Sequence, residues 1–283
     1  MAKTAAQLLM ERETQVRHGP VPRKLFGEPL PETVWQMKDD RFLLRGEGEH
    51  YFYYEMGQGI TIERGLHYDA SEESLWLNGS VYAAVASING LLPIHASAVA
   101  HEGKVFAFTG PAGAGKSTMI AALGGRGLPM FCDDTLVLDL SDPDRIICLP
   151  GHKRLKLRPD ALHLTGTMPE EKVSQSVDKY YAEPNGGDVR QVLPLAELIF
   201  LEEGPDLSIL PIVGSERLIR LQDDHQTASL FAAARQYGRA AQFAHLSRLA
   251  RQIRMARFER PLDKNRFGES IALAAKHVTN AEC

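Results

Sequence analysis

Cysteine is scarce in this chain: three residues in 283, Cys132, Cys148 and Cys283. The number is odd and the spacing fits no metal-binding pattern, so a protein of a reducing cytoplasm is the expectation. Cys132 reads as a small buried residue at a strand end rather than a redox group. Long apolar runs are also missing, and with them any membrane-spanning helix. The opening stretch from Met1 to Arg12 is too charged, and its apolar part too short, for a secretory signal. Positive charge is not in excess either. The net charge is −4, so nucleic acid is not an expected partner, and neither is a membrane. Internal repeats and low-complexity tracts are lacking. What remains is a chain with 44% hydrophobic residues, enough for a substantial core in one large domain or two small ones.

The most informative segment is Gly110-Pro111-Ala112-Gly113-Ala114-Gly115-Lys116-Ser117, which fits G-x-x-x-x-G-K-[ST] at every fixed position. Lys104 to Thr109 before it reads as a buried strand, and Ser117 to Leu123 after it as a helix stopped by Gly124, Gly125 and Gly127. A strand–loop–helix setting is what the motif requires. Glycines let the backbone wrap a phosphate, and successive N–H groups at the helix N-terminus point at the anion. Residues Gly110 to Thr118 are therefore the expected nucleotide-binding set. Lys116 is expected to reach the β- and γ-phosphates, and the Ser117 hydroxyl to ligate Mg²⁺. The ligand named by this loop is a nucleoside triphosphate with a divalent metal; no base-recognition motif fixes ATP over GTP.

Around the loop the sequence reads as an α/β chain. Residues 1 to about 35 are polar and proline-containing, a loosely attached arm with one helical stretch near Ala5 to Arg17. Short β-type runs follow at Arg41–Arg45, Tyr51–Glu55, Gly59–Glu63 and Leu75–Leu77, as in a small antiparallel sheet. Val81 to Leu92 reads as an apolar helix. Further strands are predicted at Ile94–Ala100, Leu128–Cys132, Thr135–Asp139, Ile146–Leu149, Leu155–Leu157, Leu195–Leu201 and Leu207–Ile212. Residues 165 to 192 read as a mobile loop. The tail from Thr227 to Val278 reads as helical, studded with Arg235, Arg239, Arg248, Arg251, Arg254, Arg257 and Arg260. That row is either a solvated helix face or a docking surface for an acidic peptide. The expected domains are 1–85, the arm and small sheet; 86–225, the core; and 226–283, the helical segment.

Asp133 and Asp134 follow Lys116 by 17 and 18 positions. A right-handed crossover would set their strand parallel to the phosphate-loop strand, with both C-terminal ends at one sheet edge. On an extended chain the two neighbouring side chains face opposite ways. One can then hold the metal while the other takes a proton from an attacking hydroxyl. If only one acts, with water as nucleophile, the chain is an NTPase. His95, 21 positions before Lys116, sits on a strand paired with the phosphate-loop strand and reads as either a site residue or a satisfied core histidine. Lys153, Arg154, Lys156 and Arg158 form a basic run. As a strand it turns Arg154, Lys156 and Arg158 to one face. There Arg158 or Lys156 can neutralise a transferring phosphoryl group, or the run is the charged face of an edge strand.

Together, His95, Gly110 to Ser117, Arg126-Gly127 and Asp133-Asp134 resemble the C-terminal kinase domain of HPr kinase/phosphorylase. The rest looks more like the shortened HPr-kinase-like proteins of bacterial peptide gene clusters. Leu92-Pro-Ile-His-Ala-Ser-Ala-Val99 and Pro150-Gly-His-Lys-Arg-Leu-Lys-Leu-Arg-Pro-Asp160 are similar to segments of those proteins. Some of them phosphorylate a serine of a ribosomally made precursor peptide, such as a lasso peptide precursor. The resemblance implies a P-loop kinase core of HPr-kinase type, an ATP-dependent serine kinase, and assembly into homo-oligomers. It implies Asp133 as general base, Asp134 with Ser117 at the metal, and His95 in the aspartate and phosphate network. The long glycine-rich segment used for dephosphorylation and the regulatory N-terminal domain of that family have no counterpart here. Neither phosphorylase activity nor HPr as substrate is carried over. Two other readings stay open: a kinase of a small-molecule hydroxyl, and a nucleotide-sensing regulator that transfers nothing.

Overall fold

The computed structural model of the chain describes residues 3–32, 34–222, 230, 233–234 and 239–281. It is a mixed α/β structure of two units, Met1–Pro93 with Gln226–Phe243, and Ile94–His225 with Ala244–Cys283.

In the first unit, helix α1 (Ala5–Glu13) starts at a capping box. The Thr4 hydroxyl accepts from the Gln7 N–H, and the Gln7 side chain accepts from the Thr4 N–H. Strands β1 (Val16–His18), β2 (Val34–Lys38), β3 (Arg41–Arg45), β4 (Tyr51–Glu55) and β5 (Gly59–Glu63) form one sheet in the order β1-β5-β4-β3-β2. Only the β1–β5 pair is parallel. Phe42 and Leu44, Phe52 and Tyr54, and Ile60 and Ile62 share one buried face, while Leu43 and Tyr51 pack with Leu30 in a smaller cluster on the other. The N-terminal segment is not the loose arm expected. The Glu13 carboxylate is fully buried and accepts from the Tyr54 hydroxyl (2.7 Å) and the Gly57 N–H (2.8 Å), which ties α1 to the sheet. The expected strand at Leu75–Leu77 is helical. It belongs to α2 (Ala70–Trp76) and a π-turn at Leu77–Val81, which continue into α3 (Tyr82–Ile88). Asp69 caps α2 by accepting from the Ser71 N–H (2.8 Å), which favours helix over strand there.

A short strand, β6 (Leu92–Ile94), leads into the second unit. There β7 (Ala96–His101) and β8 (Lys104–Thr109) form a hairpin through Glu102-Gly103, both with positive φ as a two-residue turn demands. Helix α4 (Lys116–Gly124), β9 (Met130–Cys132), β10 (Leu136–Asp139) and β11 (Ile147–Leu149) follow. Next come the ribbon strand β12 (Leu155–Leu157), α5 (Pro159–Thr165), β13 (Tyr180–Ala182), β14 (Leu193–Glu203) and β15 (Ser208–Pro211). Then come α6 (Glu216–Gln222), α7 (Arg239–Gln252), β16 (Arg254–Arg260) and α8 (Phe267–Thr279). The main sheet runs β10-β11-β14-β8-β7-β9, with β16 parallel to β14 and β15 beside β16. Phe106 and Phe108 of β8, Ile120 and Leu123 of α4, Ile199 of β14, Phe258 of β16 and Ile271 of α8 share its core.

Two expectations change here, and the partner of one expected strand is found. The tail is not wholly helical, because β16 lies inside it. Arg254, Arg257 and Arg260 are strand residues, Arg248 of α7 donates to the Leu140 and Asp142 carbonyls, and Arg235 lies outside the described residues. Residues 165–192 are not a free loop. Glu170 and Tyr181 N–H groups bond the Tyr181 and Glu171 carbonyls, and Met130 and Val189 N–H groups bond Gly187 and Met130 carbonyls, which stitches the segment to β9. The β12 strand joins β13 in a two-stranded ribbon rather than the main sheet. Cys132 and Cys148 are buried free thiols, and burial pushes Cys132 up to about 12, so neither is a reactive thiolate; Cys283 lies outside the described residues. Among the described residues no helix is long and apolar enough to cross a membrane.

Candidate active site

Topology brings the site residues to one edge of the second unit's sheet. Strand β7 is antiparallel to β8 on one side and to β9 on the other, so β8 and β9 run the same way with β7 between them. The expected parallel relation therefore holds, but through an intervening strand. The phosphate loop leaves the C-terminal end of β8, and the aspartate pair leaves that of β9. The start of β7 is wedged between them, in register with Thr109 at Ala96 and with Cys132 at Ala98.

The loop carries positive φ at Gly110 (146°), Gly113 (86°) and Gly115 (83°), backbone states that side chains resist. At Gly115 a Cβ would also stand 2.8 Å from a guanidinium nitrogen of Arg260. Pro111, Ala112 and Gly113 are exposed at the crest of the loop. Ser117 and Thr118 lie in the first turn of α4, which carries no acidic side chain of its own; the carboxylate beside it is Asp133, engaged through the Ser117 hydroxyl. The Lys116 ammonium is 6% exposed and donates to the Gly110 (2.9 Å) and Pro111 (3.1 Å) carbonyls. Burial pulls it down to about 8, and the charges of Asp133 and Asp134 only partly oppose that.

The two aspartates separate by a different device from the one expected. Asp133 follows directly on β9, and Asp134 has φ 71°, so the chain kinks instead of alternating as a strand. Aspartate tolerates this left-handed state better than most residues, and such outliers gather at functional sites. Asp133 is 2% exposed with both oxygens engaged. Its Oδ1 accepts from Ser97 Oγ (2.5 Å) and Ser117 Oγ (2.8 Å), and its Oδ2 accepts from the Lys156 N–H (3.1 Å). The Asp134 side chain is one-third exposed, and its Oδ2 accepts from Lys156 Nζ at 2.7 Å. Burial acts to raise the Asp134 carboxyl, but the Lys156 charge and its hydrogen bond outweigh that and hold it at about 2. Lys156 is raised in turn, its own burial outweighed by Asp134. The His95 Nδ1 lies 2.9 Å from the Asp134 carbonyl oxygen and 3.5 Å from its Oδ1. A carbonyl can only accept, so Nδ1 carries the proton and Nε2 keeps its lone pair. Burial first, then Lys116, lowers the imidazole pKa, so the ring is neutral and pins the kinked Asp134 backbone.

Of the basic run, Lys156 alone reaches the aspartates, through both its backbone N–H and its ammonium. Arg158, the other candidate, is exposed at the N-cap of α5. Arg154 pairs with Glu170 and Glu171 and lies over the Tyr181 ring. Lys153 turns away to the Phe131 carbonyl. The alternation holds on paper, but the ribbon ends at Leu157, so Arg158 is not carried on with it.

Ser97, Lys179 and Arg260 were not anticipated. Ser97 is two positions after His95 in the run read as a strand, and that spacing was the available signal, although His95 itself lies in the break between β6 and β7. Lys179 precedes β13, and its charge acts on both Lys116 and Asp134. Arg260 touches the loop from β16: its guanidinium donates to the Ala114 carbonyl at 2.6 Å.

The donor set suits magnesium. Ser117 and Asp133 offer hard oxygens, and such an ion needs only one or two carboxylates beside substrate phosphates and water. Among the described residues no group of three or more His, Cys, Asp or Glu that could hold a metal by itself occurs.

The buried lysine gives a pH signature. In the free protein Lys116 loses its proton near pH 8, and a polyphosphate beside it favours the charged form. Above pH 8, ATP binding must therefore take up a proton, and affinity must fall as pH rises. Calorimetry at about pH 8.5, in buffers of different ionisation enthalpy, is expected to show uptake of about one proton that vanishes near pH 7. Zero uptake at the higher pH would separate Lys116 from the phosphates.

No family model matches the sequence, and no curated protein matches it. Among solved structures, the Hpr(Ser) kinase/phosphatase from Coxiella burnetii overlaps 67% of this chain and 95% of its own, at 14% identity and a TM-score of 0.35. That overlap is loose, and the functional reading rests on the residues of the site.

Proposed function

We propose that this chain is an ATP-dependent kinase with a P-loop core of the HPr-kinase type. It moves the γ-phosphoryl group of ATP to a serine hydroxyl of a peptide or protein, of which a ribosomally made precursor peptide is one kind. The observation that carries the kinase reading is the divided carboxylate pair. One member is buried and accepts three hydrogen bonds, one from the loop serine; the other is partly exposed beside it.

The sequence resemblance makes Asp133 the general base. Geometry favours the opposite division. Asp133 is 2% exposed and already accepts three hydrogen bonds, which leaves an incoming alcohol one lone pair of a buried Oδ2, and it suits the orientation of Ser117. In that role the Ser117 hydroxyl donates to Asp133 and its oxygen would help to hold a magnesium ion, which would supply charge neutralisation for the phosphates. Asp134 is the carboxylate an acceptor hydroxyl can reach. Its low pKa is no obstacle, because phosphoryl transfer passes through a loose transition state in which position counts for more than base strength. The acceptor oxygen bonds to the γ-phosphorus, the bond to the β–γ bridging oxygen breaks, ADP leaves, and the acceptor proton passes to Asp134. Lys156 and Lys179 supply positive charge beside the transferring group.

The test is γ-labelled ATP with magnesium and a panel of serine-bearing peptides, run beside small alcohols. Label on a serine is the expected result. Label found only on a small alcohol would move the substrate to metabolites. Release as inorganic phosphate alone would make the chain an NTPase, and tight ATP binding without turnover would make it a regulator.

A further inference from the structure

The geometry points to Arg260 as a positioning residue of the phosphate loop, one that sets the nucleotide affinity of this chain by fixing the Ala114–Gly115 peptide. The inference rests on the nucleotide-binding reading of the loop and deepens it.

Strands β8, β14 and β16 are mutually parallel, so their C-terminal ends meet at one sheet edge. Arg260 is the last residue of β16, opposite Glu203 at the end of β14, and arrives beside the loop that leaves β8. It is 5% exposed. One terminal nitrogen donates to the Ala114 carbonyl at 2.6 Å, and the Nε has no hydrogen-bond partner among the described residues. The same terminal nitrogen lies where a Cβ of Gly115 would project. Gly115 is thus required twice, for its φ and for the guanidinium that fills the space beside it.

A buried, incompletely satisfied cation is costly to keep, and burial indeed works against the charge here with only Glu203 opposing. What it does follows from peptide geometry. The peptide is planar and trans, so its C=O and N–H point in opposite directions. Holding the Ala114 carbonyl outward on Arg260 aims the Gly115 N–H inward, toward the concavity in which successive loop N–H groups receive an anion. Arg260 acts through the loop backbone, from the side away from the anion, and adds positive charge behind it.

The experiment measures ATP binding with magnesium by calorimetry for the full chain and for Arg260→Met and Arg260→Lys, with thermal melting of each in the absence and presence of ATP. Arg260→Met is expected to bind ATP about 10-fold or more weakly, and Arg260→Lys, which keeps one donor, to fall between it and the parent. KM for ATP is expected to rise in the same order while kcat changes by less than about threefold. Millimolar guanidinium is expected to restore part of the affinity of Arg260→Ala. A role confined to fold stability would lower the melting temperature and leave affinity, KM and rescue unmoved. Affinity of Arg260→Met within about twofold of a parent that itself binds ATP would overturn the inference. If the methionine variant does not fold, the same comparison on Arg260→Lys decides it. A parent chain that binds no ATP would remove the nucleotide reading itself, and this inference with it.

Discussion

Asp134→Asn is expected to lower kcat by about 10³-fold while leaving ATP affinity within a few-fold of the parent, since loss of a positioned base typically costs between about 10² and 10⁴. Asparagine is the right replacement because it keeps the shape and tolerates the left-handed backbone of position 134. The variant also loses the anion that pairs with Lys156, so a fall in stability accompanies the loss of rate. The sign of that fall with pH is fixed. With its pKa held near 2, Asp134 contributes stability that is complete above its ordinary value of 3.8 and is lost as pH falls toward 2. Parent and variant should therefore converge in acid and differ at neutral pH. Asp133→Asn should behave differently. An amide cannot accept from Ser97, Ser117 and Lys156 together, so one buried donor is left unpaired at a cost of about 1–3 kcal/mol. Its dependence on magnesium should weaken, because Ser117 loses its acceptor. Rates from the two variants, followed by transfer of labelled phosphate at several magnesium concentrations, separate the roles. A fully active Asp134→Asn beside a folded but inert Asp133→Asn would return the general base to Asp133.

How much of this was readable from residues alone depends on how local each determinant is. The phosphate loop was legible because its requirements lie within eight consecutive residues flanked by an apolar strand and a helix. The aspartate pair was legible from its short distance to Lys116, since a three-turn helix and a returning strand leave few places for it to go. How the pair divides was not legible. Strand alternation was the natural guess, yet Asp134 separates from Asp133 through a left-handed kink pinned by His95 and Lys156, both remote in sequence. Ser97 was hidden as one small polar residue in an apolar strand. Arg260 was hidden by its surroundings. Helical residues on both sides masked the alternation of Ala256, Phe258 and Arg260, and the parallel pairing of β16 with β14 joins positions more than fifty apart. The tightness of α1 against its sheet was equally invisible, because it depends on one buried carboxylate, Glu13, finding Tyr54 and Gly57.

Lys116→Ala is expected to abolish transfer and to weaken ATP binding by about 100-fold or more, the loss of a charge-assisted contact worth about 3 kcal/mol. The more telling consequence concerns the protein without nucleotide. In that state Lys116 is a buried cation answered mainly by two loop carbonyls, and its depressed pKa shows that the fold holds its charge at a cost. Folded near 8 and ordinarily at 10.5, it binds fewer protons in the native than in the unfolded state between those values. Its penalty is therefore complete below pH 8 and is relieved as pH rises toward 10.5. Removing the ammonium relieves the same penalty, so the nucleotide-free variant should melt no lower than the parent at neutral pH. Its pH-dependent gain in stability above pH 8 should disappear. Addition of ATP and magnesium, which raises the melting temperature of the parent by mass action, should raise that of Lys116→Ala far less. A clear drop in the melting temperature of the nucleotide-free variant would mean that the ammonium supports the loop more than it strains it. An undiminished shift with ATP would mean that the phosphates bind elsewhere. The expected pattern, neutral for folding and ruinous for binding, marks a residue kept for its ligand.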